Sequence, residues 1–212
     1  MAYFTDVLTL ARKDLRLELR ARSVVPAMLL FVVSTLVVFH FVLPTGSSDL
    51  AATGLLWVAL LFTALLGLSR SFAAERDQGV IDGLVLAPSD RSAIWLGKAV
   101  SILAFLALAE LIALPAYALF FKPVDAALVG GVALANLGIA AVGTLLAAMA
   151  TAGRARELLL PLLFLPLAIP IVIGGVGASV TDEPARYLGL LGLYDALFAI
   201  ICWASFEYVV TE

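Results

Sequence analysis

Six apolar stretches, and the polar segments between them, set the rhythm of this chain. Residues 24–43, 50–69, 99–121, 126–150, 158–179 and 188–209 each hold roughly the 20 residues that a helix needs to cross hydrocarbon. Lipid offers no partners to open backbone groups, so each crossing must be helical. Ahead of them, Phe4, Leu8, Ala11, Leu15 and Leu19 recur at helical spacing within residues 3–22, and Thr9, Lys13, Arg16 and Arg20 fall on another face. This predicts an amphipathic helix lying at the membrane interface against anionic lipid; a solvated helix of the same period is the plainer alternative. The expected fold is therefore all-α: one polytopic membrane domain over residues 1–212, with six spans and an interfacial helix.

The longest polar interruption is residues 71–98, which carry Glu75, Arg76, Asp77, Asp82, Asp90, Arg91 and Lys98. Within it, Val80, Ile81, Leu84, Val85 and Leu86 form an apolar patch beside Asp77 and Asp82, while Gly79 and Gly83 permit a sharp change of direction. Pro88 ends one helical piece, and Ser89 is the expected N-cap of the next, with Asp90 in its first turn. The pattern fits a short surface helix that presents acidic and apolar groups to a partner protein; it equally fits a plain amphipathic connector.

Composition agrees with the pattern. The chain has 212 residues, of which 63% are hydrophobic and 14% charged, and its mean hydropathy is +1.11, against about 45–50% apolar and 25% charged for soluble domains. Net charge is −3, but its distribution says more. Eleven Lys and Arg lie in segments on one side of the six spans and two, Lys122 and Arg186, on the other. The positive-inside rule then places both termini in the cytoplasm, with residues 71–98 on that side. No cleavable signal peptide is expected, because the first apolar run is long enough to span. Trp57, Trp95, Trp203, Tyr187 and Tyr208 include candidate interface anchors.

Span 4 is rich in small residues, among them Gly130, Gly131, Gly138 and Gly143, which let helices approach closely. Span 5 holds Pro161, Pro166 and Pro170, then Gly174, Gly175 and Gly177. Each interior proline removes a backbone hydrogen bond, so span 5 is expected to be bent or broken, with a short or re-entrant outer end.

Several chemistries are excluded. Gly97-Lys98 is followed by Ala99 and lacks a glycine at P-loop spacing, so this chain does not hydrolyse ATP by that motif. A single Cys202 excludes an internal disulfide, and a single His40 excludes a bis-histidine haem site within one chain. No metal site is expected. Inside the spans, Glu110 lies near the middle of span 3, Asn136 in span 4 and Asp195 in the outer half of span 6. Burying a carboxylate in lipid costs several kcal/mol, so Glu110 should face the bundle interior, either as a functional group or as a hydrogen-bond partner of another helix. His40, between Phe39 and Phe41 near the outer end of span 1, is expected to be an interfacial histidine, with haem ligation the minor alternative.

An amphipathic start, two spans and then Phe72-x-x-Glu75-x-x-x-Gly79-x-x-x-x-Leu84-x-Leu86-x-Pro88 resemble the permeases of type-2 ATP-binding-cassette exporters. The whole chain is similar to the haem-exporter protein B (CcmB) family of cytochrome c maturation, most specifically in Ala11-Arg12-Lys13-Asp14-Leu15-Arg16-x-Glu18-x-Arg20 and in the proline-rich residues 158–175. The resemblance implies a non-catalytic permease subunit in the bacterial inner membrane. Its coupling helix, with Glu75, Asp77, Gly79, Asp82, Leu84 and Pro88, would dock on a separate ATPase subunit that binds ATP. It also implies a second copy of the chain, a haem-handling membrane protein, a small membrane subunit and a periplasmic haem chaperone as partners, and no nucleic acid. Haem would reside on a partner protein, and this chain would bind no cofactor strongly. Two other functions stand beside it: an exporter permease for lipid, glycan or drug, and an intramembrane enzyme that uses Glu110 with His40.

Overall fold

The computed structural model describes residues 2–44, 49–72, 90–152 and 156–211. Among these residues the chain is entirely helical. The helices are α1 (Ala2–Ala21), α2 (Val24–Val42), α3 (Asp49–Arg70), α4 (Arg91–Phe120), α5 (Ala126–Ala152), α6 (Arg156–Val180) and α7 (Pro184–Thr211). The last six are long and apolar enough to cross a membrane. Six crossings return both ends of the chain to one face of the bundle.

Helix α5 is the axis of that bundle. Its apolar stretch is 72% buried, against 22% for α2 and α7, and α3, α4, α6 and α7 pack around it. The small residues explain its place: each missing side chain receives one from a neighbour. A Cβ on Gly138 would lie 2.6 Å from Asp195 Oδ1, and one on Gly143 would collide with the Leu68 side chain. Trp57 of α3 fills a slot between Gly131 of α5 and Gly175 of α6. Trp57 and Trp95 are accordingly core residues, 2% and 6% exposed, while Trp203 and Tyr208 face outward as anchors should. Trp95 Nε1 donates to Ala141 O at 3.2 Å.

Helix α6 corrects the break and the short outer end expected of span 5. It is an uninterrupted helix with Pro161, Pro166 and Pro170 inside it, and its outer end runs to Val180. Proline loses one N–H and crowds the carbonyls a turn behind, but in a membrane bundle neighbouring groups can satisfy what is freed. Tyr194 Oη of α7 also donates to Leu167 O at 2.8 Å, which ties this stretch of α6 to its neighbour.

Helix α1 packs differently from its simplest reading. Val7, Ala11 and Glu18 form its buried face, and Phe4 and Leu8 remain 69% and 65% exposed. It runs beside the first turns of α4, with Tyr3 near Ser92, Leu10 at Gly97 and Asp14 at Ser101. Helix α4 has 30 residues, or about 45 Å, which exceeds the roughly 30 Å of hydrocarbon and leaves about ten residues to project beyond it. Helix α1 docks on that projection, with the Phe4–Leu8 stripe left on its flank.

Candidate functional site

The six coupling positions Glu75, Asp77, Gly79, Asp82, Leu84 and Pro88 lie outside the described residues. The structure describes the two ends that hold this segment. On the entry side, α3 closes at Arg70, and Ser71 Oγ donates to Leu68 O at 2.9 Å. On the exit side, Asp90 is the N-cap of α4: its backbone is extended and its side chain accepts from Ser92 N at 2.9 Å. Asp90 therefore takes the capping role expected of Ser89; its carboxylate reaches the second amide of the helix and adds a favourable charge at the positive dipole end.

Lys98 joins these two ends. Two turns into α4, its Nζ donates to Ser71 O at 2.8 Å, pairs with Asp14 Oδ2 at 3.0 Å and lies 4.8 Å over the centre of the Phe72 ring. Lys98 is 4% exposed. One ammonium thus meets a carbonyl at the end of α3, an aromatic face beyond it and a carboxylate of α1. Gly97 makes the approach possible, since a Cβ there would sit 2.8 Å from Leu10 Cβ and 3.2 Å from Val7 O. Ser101 Oγ donates to Gly97 O at 2.9 Å and lies 3.4 Å from Asp14 Oδ2.

The same unit is locked to α2. Glu18 Oε1 accepts from Val24 N at 2.7 Å and Val25 N at 3.0 Å, so a side chain of α1 caps the next helix. Ser23, at the N-cap itself, makes no such bond. The corner between the helices requires a left-handed residue, Arg22 at φ 50°, and Arg22 N donates to Glu18 O at 2.7 Å. Helix α1, the end of α3, the start of α4 and the start of α2 are therefore tied by polar bonds into one unit. Arg91 and Glu207 add an exposed pair at 3.1 Å between α4 and α7, worth little on its own.

Within the bundle the structure joins two of the three expected polar residues. Asn136 Nδ2 donates to Glu110 Oε2 at 2.7 Å between α5 and α4, beside a void of about 10 Å³ lined by Trp57, Leu60 and Ile171. Asp195 stands apart. It is 9% exposed, neither carboxylate oxygen has a hydrogen-bond partner among the described residues, and it packs on Gly138. Asn136 and Gly138 are two residues apart, about 200° around the α5 axis, so the two carboxylates occupy opposite flanks of the central helix.

His40 is exposed near the end of α2. Its Nδ1 lies 3.0 Å from Phe120 O, ten residues along α4 from Glu110, or about 15 Å. That separation removes direct cooperation between His40 and Glu110, which an enzyme using both would need. Among the described residues no group of three His, Cys, Asp or Glu is placed to hold a metal.

The sequence placed the span polar residues, and it held Lys98 and Glu18 without showing the ties they make. The usable signals were a lysine eight residues into a long apolar helix, directly after a glycine, and an acidic residue six positions before an uncapped span.

Comparison with known proteins gives a consistent set of similarities. A family model described as CcmB protein matches residues 5–206. Heme exporter protein B of Bradyrhizobium diazoefficiens is 29% identical over 212 residues, covering 97% of this chain and 93% of the relative. Heme exporter protein B of Rhodobacter capsulatus is 33% identical over 214 residues, covering 92% and 94%. Heme exporter protein B of Paracoccus denitrificans is 33% identical over 203 residues, covering 91% and 93%.

Proposed function

The chain belongs to the CcmB protein family, and from that premise we propose that it is the permease subunit of a haem exporter in cytochrome c biogenesis. A separate ATPase subunit grips Glu75–Pro88 and drives that segment as it hydrolyses ATP. The chain itself performs no chemistry. The observation that carries this reading is the Lys98 junction. Displacement of a segment is useful only if its two ends are held to something that moves with it, and Lys98 ties the entry at Ser71–Phe72 and the exit in α4 to α1. Glu18 extends the tie to α2. A push on the segment then reaches three spans as one body.

In this reading the segment and both termini are cytoplasmic, in agreement with the eleven-to-two bias of basic residues, and the membrane is the bacterial inner membrane. A second copy of the chain completes the transmembrane part. The force acts on haem, or on a haem-handling membrane protein that releases its loaded periplasmic chaperone; a small membrane subunit completes the assembly.

The test is co-purification from the native membrane. The ATPase subunit is expected to remain with the wild-type chain, and Glu75→Lys or Asp82→Lys is expected to release it or abolish its stimulation. A wild-type chain that brings down no ATPase would sink the proposal. Retained ATPase with loss of lipid, glycan or drug export, and intact cytochrome c maturation, would redirect it to another cargo.

A further inference from the structure

We propose that His40 is a contact for haem iron at the face of the bundle remote from the termini. The proposal rests on the haem-exporter reading for the identity of the cargo. Its geometry is independent of that reading.

The argument starts with the ring. Phe120 O can only accept, so the 3.0 Å contact fixes the proton on Nδ1. Nε2 is then left with its lone pair, in the tautomer that binds metals. A ligating histidine is characteristically oriented by just such an N–H···O=C bond, which also raises the basicity of the other nitrogen. The imidazole is exposed instead of packed away. It is therefore oriented, of the correct tautomer and on an exposed residue.

The surroundings suit a flat apolar ligand. Phe41, Phe120 and Phe121 place ring centres 5.4, 5.1 and 5.9 Å from the imidazole. Tyr117 stacks on Phe121 at 5.4 Å, which holds that ring in place from the buried side. Phe41 and Leu119 are 81% and 80% exposed. Exposed phenylalanines alone are ordinary lipid contacts; an oriented imidazole among them is the distinguishing feature. Imidazole is a suitable ligand for iron, and a porphyrin supplies the hydrocarbon face that the rings would cover. Lys122 follows directly after Phe121 and supplies positive charge for the haem carboxylates. Its present contacts are long, 3.8 Å to Asp49 Oδ2 and 3.5 Å to Ser179 O.

The contact is built for passage. Cys202 is 2% exposed on α7 and Met28 is fully buried, so neither offers a second axial ligand here. A haem held through His40 alone would be bound by one bond from this chain and could pass to whatever takes it next.

Hemin titrated into the full-length chain in lipid nanodiscs tests this. The wild-type chain is expected to shift the Soret band to that of a histidine-ligated haem. His40→Asn keeps an N–H able to reach Phe120 O but removes the ligating nitrogen; it is expected to weaken hemin binding by about tenfold or more, on the scale of altered metal-site shells, without changing thermal unfolding. His40→Gly is expected to regain the spectrum when imidazole is added. Identical spectra and affinities for wild type and His40→Asn, or no imidazole-dependent recovery, would overturn the contact. If those results came from a chain that still co-purifies with its ATPase and supports cytochrome c maturation, the exporter reading would stand while this one fell. Loss of ATPase co-purification in the wild type would remove the exporter reading whatever hemin does.

Discussion

The bundle is held together by different forces at its two functional levels. Around Lys98 the helices are joined by charge and directed hydrogen bonds: one ammonium, a carboxylate, a carbonyl and an aromatic face, with a glutamate capping the adjacent helix. Around α5 they are joined by shape, with glycines receiving Trp57 and Leu68 from α3 and Asp195 from α7. Directed bonds fix orientation and can break and re-form in discrete steps. Interlocked shapes resist any change in spacing, so the helices must move as a body. A domain that accepts force at one end and carries it across a membrane needs both: a junction of defined geometry at the input and a stiff transmission beyond it.

The sharpest test of that contrast is at the junction. Lys98→Met keeps the apolar stem and removes the charge, leaving Asp14 and Ser71 O without their buried donor. Breaking a buried pair from one side costs about 3–5 kcal/mol; Lys13 Nζ at 3.2 Å from Asp14 Oδ1 offers partial compensation, so the lower end is expected. If charge is the principle there, Lys98→Met with Asp14→Asn should be more stable than Lys98→Met alone. Unfolding in detergent, followed by SDS titration, measures both. A double variant no better than the single one would mean that Lys98 acts through packing.

The complementary test is at the core. Gly175→Val forces side-chain atoms into the Trp57 ring, and overpacking costs about 1–3 kcal/mol, more where backbone cannot shift. Trp57→Leu in the same chain should recover part of that loss, because it empties the slot. If Gly175→Val is tolerated, α3 and α6 are not interlocked and the stiff-core argument fails.

The two levels were also unequally legible. Long apolar runs specify spans almost without regard to partners, since length against hydrocarbon thickness decides them, and the six spans match the observed helices closely. Glu110 and Asn136 were legible as buried polar groups because hydrocarbon leaves few alternatives. Their pairing was not, since it depends on how α4 and α5 are rotated. Lys98 was hidden for a related reason: its meaning lies in Asp14 and Ser71, 84 and 27 residues away, and only the close approach at Gly97 brings α1 within reach. The break that three prolines allow in α6 does not occur, because the helix is held between α3, α5 and α7.

The smallest effects separate the two buried carboxylates. Glu110→Gln keeps an oxygen for Asn136 Nδ2 and should change stability little, whereas Glu110→Leu leaves that amide without its acceptor and should cost about 1 kcal/mol, the scale of interhelical bonds in membranes. Asp195 has no bond to lose among the described residues, and Asp195→Asn preserves its shape against Gly138. Because no hydrogen bond among the described residues is lost and the shape is kept, its expected effect on stability is smaller than that of Glu110→Leu. An ionisable group buried in a membrane span is by default a candidate for function. Cytochrome c maturation is therefore the decisive readout: unchanged stability with lost maturation would make Asp195 a working part of the moving core. Unchanged maturation would leave Glu110–Asn136 as the polar pair that matters inside the bundle, and that pair belongs with the directed bonds of the junction, not with the packing around it.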